Sequence, residues 1–398
     1  MTKYRVLVLA PHYNTFVKGL TDAMAVGNLC EATVAVRYNP LSEIAARLPR
    51  GKSFEHIRRW SRSCLLDFDS LPERVHVEMI PMLYFVRDGK NRLLGDRLYR
   101  NTMRMIHKRS VEFDIIHAHF SYPYGYAGAR IKERSRAPLV ITVHEDRDLL
   151  SNEMESRDRR IFWAWKSADA LIRINRSDIP KLKEHNVNVH YIPAGFDSKS
   201  LFLASKEESR KQLNLPAEKK ILFNLASLYP YKGHKHLIEA MKEVSQRRSD
   251  IVCYIGGSGP LRRDLQRHIN SLGLSDKVKL IGYVRNDEVG DWFRASDAFV
   301  LPSLSEGTPG VMFEALACGR PVVASRVGGI PEIITSDGYG LLVEPGNSRD
   351  LADKIIDVVL RNWDNHMIAE FAAQFSWDKI AKRVSNVYED AMSRFEGG

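Results

Sequence analysis

The stretch Glu306-Gly-Thr-Pro-Gly-Val-Met-Phe-Glu314 decides how this chain reads. Glu314 sits inside Val311-Met-Phe-Glu-Ala-Leu-Ala-Cys318, which is otherwise apolar. A helix apolar on every side is a buried helix, and a carboxylate inside one is costly unless something binds it. Glu306 precedes that helix, across a Gly-Thr-Pro-Gly turn. Pro309 suits the first helical position, where its missing N–H is harmless. The N–H groups of Gly310 and Val311 then point out of a helix N-terminus, a ready anion site. Two carboxylates beside an anion site suit a ligand with hydroxyls at both ends and phosphate in the middle, such as a nucleotide sugar. Taken alone, Glu314 could equally cap or pair structurally and Glu306 could be a solvated loop residue, because structural ion pairs also perturb carboxylates.

The flanking sequence adds context. Asp297-Ala-Phe-Val-Leu301 reads as a strand ended by Pro302 and Ser303. Gly319 stops the helix, Pro321-Val-Val-Ala-Ser325 reads as the next strand, and Gly328-Gly-Ile-Pro-Glu332 follows. Strand, loop, helix, strand is the α/β unit whose ligands bind at the carboxyl ends of strands. The whole run, from Ser305 through the Gly-Gly-Ile-Pro-Glu-Ile segment, resembles the donor-site signature of retaining family 4 glycosyltransferases. That resemblance implies an α/β chain of the GT-B fold, with two Rossmann-like doubly wound domains facing across a cleft.

A length of 398 residues predicts two to three domains. Hydrophobic content of 44% and charge of 27% are ordinary for a globular chain. No stretch approaches the roughly 18 apolar residues of a membrane-spanning helix. Tyr4–Ala10 reads as a first strand rather than a signal peptide. Cys30, Cys64, Cys253 and Cys318 are scattered, without metal-ligand spacing. They fit a reducing compartment, and all but Cys64 lie in apolar surroundings. The net charge of +10 is one-sided: residues 1–200 hold 33 Lys+Arg against 23 Asp+Glu, residues 201–398 hold 26 against 26. A basic first half points to an anionic partner.

Apolar β-rich runs alternate with helical stretches, which means parallel sheets and βαβ units. Strands are expected near Val6–Ala10, Thr33–Arg37, Val75–Ile80, Asp114–His119, Leu139–His144 and Ala170–Ile174. A second set is expected near Ile221–Ala226, Ile251–Gly256, Val278–Tyr283, Ala298–Pro302, Pro321–Ser325 and Gly340–Val343. The organisation expected is an acceptor-binding domain over 1–196, a nucleotide-sugar-binding domain over 197–375, and a terminal helix over 376–398. In the resemblance that helix crosses back to the first domain.

Further motifs sit at strand ends. Lys232, in a strand-to-helix turn, is well placed to meet a phosphate, though a lone loop lysine is usually solvated. In the resemblance this lysine stabilises the departing diphosphate. The second cation usual five residues earlier is replaced by Ser227, for which His234 or Lys235 could substitute. Ile255-Gly-Gly-Ser-Gly-Pro260 lets backbone approach a ligand, although the spacing is not a dinucleotide fingerprint. His117 and His119 share one strand face, and on sequence alone either could be a backbone-bonded core histidine. The resemblance places His119 against the transferred sugar. Thr142-Val-His144-Glu-Asp146 is a similar strand end, with Glu145 where the family usually has Gly. Asp146-Arg-Asp148 matches a metal motif of another transferase fold and is read as chance. The first loop, Pro11–Phe16, lacks the family's Gly-Gly. Pro309 stands where many relatives have a glycine whose N–H meets the sugar.

The resemblance thus assigns catalysis to His119, Lys232 and Glu306. It assigns donor binding to Lys232, Gly257, Tyr283, Glu306, Thr308, Gly310, Val311 and Glu314, and the acceptor side to Asn14, His144 and Asp146. Glu314 would hold the ribose hydroxyls and Glu306 those of the sugar. The implied reaction is metal-independent front-face transfer with retention, from a UDP- or GDP-linked sugar to an acceptor hydroxyl, with no cofactor. A GT-B sugar-nucleotide epimerase and a nucleic-acid-binding module that stacks bases on Trp60, Tyr84, Phe85 and Tyr99 are the competing readings. No nucleic-acid partner is expected. Basic segments at Arg47–Lys52, Ile57–Arg62 and Arg92–Arg109, with apolar residues such as Leu94, Leu98, Met103 and Met105 among them, suggest docking on an anionic membrane. The expectation is a cytoplasmic enzyme, peripheral at the inner membrane face, acting on a lipid-linked or cell-envelope glycan.

Overall fold

The computed structural model describes residues 3–47, 61–67, 71–83, 93–145 and 147–396. The chain divides into two compact units. One holds Met1–Gly195 together with Trp377–Gly398, and the other holds Phe196–Ser376.

The first unit is built on a seven-stranded parallel sheet in the order β3-β2-β1-β4-β5-β6-β7. Its strands are β1 (Tyr4–Ala10), β2 (Cys30–Tyr38), β3 (Val75–Pro81), β4 (Ile115–His119), β5 (Leu139–Val143), β6 (Ala170–Arg173) and β7 (Val189–Tyr191). Central strands are buried along their length because helices cover both faces; β4 and β5 are buried at every residue. Order reverses between β1 and β4, so the turns after these strands flank the crevice where such sheets take ligands.

Trp377–Glu396, the terminal helix, packs on this unit through Ile380, Ala381, Val384, Val387, Tyr388 and Ala391. Three- and four-residue spacing puts them on one face. Gly19 makes room for the helix, since a Cβ there would lie 2.3 Å from Trp377 Nε1.

The second unit carries a six-stranded parallel sheet in the order β10-β9-β8-β11-β12-β13. These strands are β8 (Lys220–Leu225), β9 (Ile251–Gly256), β10 (Val278–Gly282), β11 (Ala298–Leu301), β12 (Val322–Ser325) and β13 (Gly340–Val343). Here order reverses between β8 and β11, which places the Lys232 and Glu306 loops at the switch point. All twelve expected strands form, within a few residues at their ends. The thirteenth, β7, was not foreseen: three residues of Val-His-Tyr are too short for a period to show.

Candidate active site

In the second unit the site is assembled by close backbone contacts. Gly233 ends the Pro230–Lys232 turn with φ +69°, and a Cβ there would sit 1.9 Å from the Pro302 carbonyl. Only glycine tolerates both constraints. The turn is therefore pressed against the end of β11, where Leu304 N–H donates to the Tyr231 carbonyl at 2.7 Å. Lys232 Nζ consequently lies 2.6 Å from Glu306 Oε1, and Ser303 Oγ donates to the same oxygen at 2.6 Å. The Glu306 loop is clamped from its other side. Gly328 has φ +54° with its Cβ position 1.9 Å from the Glu306 carbonyl, and Gly329 N–H donates to Gly307 at 2.7 Å.

The helix Gly310–Ala317 begins one residue later than the sequence implied. Pro309 has extended ψ of 108° and is the capping residue, with Gly310 the first helical one. Proline fixes φ but not ψ, so it serves as readily just before the helix. The first N–H groups of a helix have no intrahelical partner, and here those are the N–H groups of Gly310 and Val311. A Cβ on Gly310 would meet no atom within 4 Å. Thr308, half-buried, precedes this turn.

Glu314 is half-buried one turn further on, beside buried Phe313 and Ala315. Its apolar surroundings push its carboxyl up to about 7. Among the described residues none donates a hydrogen bond to it. A carboxylate so placed has unused acceptor capacity.

Gly257 and Gly259 have φ of +132° and +157°, and their Cβ positions lie 1.9 and 2.7 Å from the carbonyls of Ala226 and Leu228. These glycines are thus required by the neighbouring loop after β8, a reason independent of any ligand. Tyr283 follows the end of β10 and is 71% exposed. The two proposed substitutes for Ser227 differ in their surroundings. His234 is buried, and desolvation pushes its imidazole down to about 4, so it is neutral. Lys235 is exposed and faces Glu239 at 3.7 Å.

In the first unit the strand-end histidines form a layered cluster. His117 is a satisfied core residue, bonded to Tyr388 Oη at 2.8 Å and Thr142 Oγ1 at 2.7 Å, and burial pushes it down to about 3. His119 stacks on it with ring centroids 4.4 Å apart. His119 Nδ1 lies 2.9 Å from His144 Nε2, while its own Nε2 is buried with no partner among the described residues. Burial drives both His119 and His144 well below the usual histidine range, so both are neutral. Phe16 packs on His144 at 4.3 Å between centroids. Asn14 precedes the helix Thr15–Val26 and donates to the Cys64 carbonyl at 3.2 Å. Asp146 lies outside the described residues.

Two family descriptions match the chain, "Glycosyl transferases group 1" over residues 205–375 and "Glycosyltransferase Family 4" over residues 56–200. An uncharacterized glycosyltransferase of Methanocaldococcus jannaschii is 30% identical over 292 residues, 70% of this chain and 75% of the relative. The chain belongs to this glycosyltransferase family. A D-inositol 3-phosphate glycosyltransferase of an Arthrobacter species is 29% identical to this glycosyltransferase across 96% of its chain and 90% of the relative. Among solved structures, Anabaena HepE in complex with UDP superposes with a TM-score of 0.71 at 20% identity, covering 97% of this chain and 99% of that one. The fold class of the glycosyltransferase is GT-B, and neither the epimerase nor the nucleic-acid reading is favoured.

Sequence reasoning missed Ser303 as the second partner of Glu306, and Gly328 as the clamp on its loop. The Gly-Gly pair was visible, but not what it touches. The basic helix Leu94–Arg109 also differs from expectation. Leu94, Leu98 and Met105 are buried in the core, and Met103 packs against it, so they are not membrane anchors. Arg97, Arg100 and Arg104 instead line a surface pocket of about 480 Å³ with Leu83 and Asn101. Of the other basic segments, Arg47–Lys52 has no described side chain, and Arg58 and Arg59 lie outside the described residues, as do Trp60, Tyr84 and Phe85. Among the described residues no helix is long and apolar enough to cross a membrane.

Proposed function

We propose that this glycosyltransferase moves a sugar from a nucleoside diphosphate to an acceptor hydroxyl with retention at the anomeric carbon. The observation that carries this reading is Glu314: a carboxyl without a partner among the described residues, in an apolar helix, one turn from an open helix N-terminus. In this reading Glu314 takes the ribose hydroxyls, and the Gly310 and Val311 N–H groups take the diphosphate. Lys232 neutralises the charge that grows as the diphosphate departs, and Glu306, already held by Lys232 and Ser303, takes the sugar hydroxyls. His119 meets the transferred sugar through its free Nε2. The acceptor hydroxyl passes its proton to the leaving phosphate on the same face, so the protein works by positioning and by stabilising charge, without a metal or other cofactor. UDP is the favoured nucleotide, because the similar HepE structure was solved with it.

The acceptor we favour is a lipid-linked or cell-envelope glycan, reached from the cytoplasmic face of an anionic membrane. Support comes from the basic face of Leu94–Arg109. With Leu94, Leu98 and Met105 of the helix buried, the contact of this face with a membrane is mainly electrostatic. The deciding experiment incubates the full chain with a panel of UDP- and GDP-sugars and follows product by NMR. Nucleoside diphosphate release with an α-linked product from an α-linked donor supports the reading. An inverted product, or epimerised donor, overturns it.

A further inference from the structure

Lys232 has a second anchor beside Glu306. Its ammonium lies over the ring of Tyr231, 5.2 Å from the centroid, within the roughly 6 Å at which a cation is attracted to the face of an aromatic ring. The lysine side chain is only 18% exposed, and such contacts strengthen as the cation loses water. Both residues sit on the short turn Pro230–Lys232, which is held from several sides. Lys232 N–H donates to the Tyr229 carbonyl at 3.1 Å, Gly233 N–H to the Pro230 carbonyl at 3.2 Å, and Leu304 N–H to the Tyr231 carbonyl at 2.7 Å. The Tyr231 ring is itself stacked on Tyr229, with centroids 6.1 Å apart and planes 26° from parallel. Both rings are 46% exposed, so neither fills the core of the unit.

The two anchors respond differently to an arriving anion. Glu306 holds the ammonium at 2.6 Å by the same attraction that a diphosphate exerts, so the two anions compete. The ring carries no charge and acts through its quadrupole, so its contact outlasts that exchange. A lysine ammonium is a point charge on a flexible four-carbon stem; without a lateral contact it follows the anion instead of being aimed at it. We propose that Tyr231 is a positioning residue: its ring face holds the Lys232 ammonium in place while a nucleoside diphosphate replaces Glu306 as the anionic partner, and Tyr229 backs that ring. This role rests on Lys232 meeting the diphosphate, as given above, whereas the contact between ring and ammonium does not.

The test replaces Tyr231 by phenylalanine, and then by phenylalanines carrying increasing numbers of ring fluorines. The series changes ring size little while drawing negative charge off the ring face. Turnover of the nucleotide sugar identified by the panel above should fall stepwise along it, by roughly three- to thirtyfold overall. Calorimetric affinity for UDP should fall less, and melting temperature should stay level, so that the loss is not one of folding. Tyr231→Phe keeps the ring face and should keep most of the turnover. Tyr231→Leu, apolar but without a ring face, should lose as much as the most fluorinated variant. A double-mutant cycle of Tyr231→Leu and Lys232→Ala, read by urea unfolding, should show favourable coupling, whatever reaction the chain performs. Absence of coupling, or a flat fluorine series while Lys232→Ala is impaired, overturns the proposal. Wild-type turnover in Lys232→Ala instead removes the leaving-group reading, and the positioning role with it, even where the cycle confirms the contact.

Discussion

Lys232 Nζ lies 2.6 Å from Glu306 Oε1, with the two side chains only 18% and 7% exposed. The cation assigned to the departing diphosphate and the carboxylate assigned to the sugar thus hold each other. Each fixes the other's rotamer, which is the preorganisation that charge stabilisation in a transition state requires. In the proposed reading, a diphosphate entering the site competes with Glu306 for the same ammonium.

Lys232→Ala should therefore fail in two separable ways. Turnover should fall more than donor affinity, because the diphosphate gains charge only as the bond breaks. Stability should fall by about 1–3 kcal/mol, because Glu306 is left underpaired. Adding Glu306→Gln should recover the stability but not the turnover. Urea unfolding and steady-state kinetics on both variants check this; unchanged turnover with a raised Michaelis constant removes Lys232 from the leaving-group role.

Nucleotide affinity should rise with pH through about 7, where the Glu314 carboxyl titrates. Only the ionised form accepts ribose hydroxyls without giving up a donor bond, so binding draws a proton off Glu314. With an unliganded value near 7, affinity should gain roughly tenfold between pH 6 and 8. Glu314→Gln should bind weakly and lose that gain. Calorimetric titration at several pH values is the measurement, and a variant that keeps the wild-type slope assigns the slope to the nucleotide's own phosphate.

Gly310→Ala should fold as well as the parent or slightly better, since its Cβ meets no protein atom and alanine favours helix by about 1 kcal/mol over glycine. The same methyl group occupies the open space above the first helical turn. Donor binding should weaken while thermal stability does not, and equal donor binding in both proteins would place the diphosphate elsewhere.

His119→Ala should abolish transfer and leave nucleotide binding intact. Because burial holds His119 well below the usual histidine range, the wild-type rate should show no break near pH 6.5 arising from this residue. A variant that transfers normally returns His119 to a packing role beside His117.

Co-sedimentation with vesicles tests the basic helix. Arg97, Arg100 and Arg104 form no ion pair among the described residues, and their spacing puts them on neighbouring positions of one helix surface. Binding should require anionic lipid, weaken as salt rises, and fall on replacing all three by Ser, at about 1 kcal/mol for each contact. Equal binding to neutral vesicles, or none to either, leaves an acceptor free in solution.

What the sequence determined by itself is local. Alternation of short β-rich runs with helical periods specified twelve strands and two parallel sheets. The span from Glu306 to Glu314 marked Glu314 as a carboxylate set in an apolar helix, which is where the fold holds it. These follow from period and chemistry within a few residues of chain. Tertiary structure decided which groups meet. Lys232 and Glu306 are 74 positions apart, and nothing in either loop announces that Gly233 and Pro302 press them together. The apolar residues of Leu94–Arg109 showed that the helix buries a face, but not that the face was already taken by the core. The reason is physical: a side chain's pKa, partners and exposure are set by neighbours in space, and for these residues the neighbours are brought by the sheet order, not by the sequence on either side.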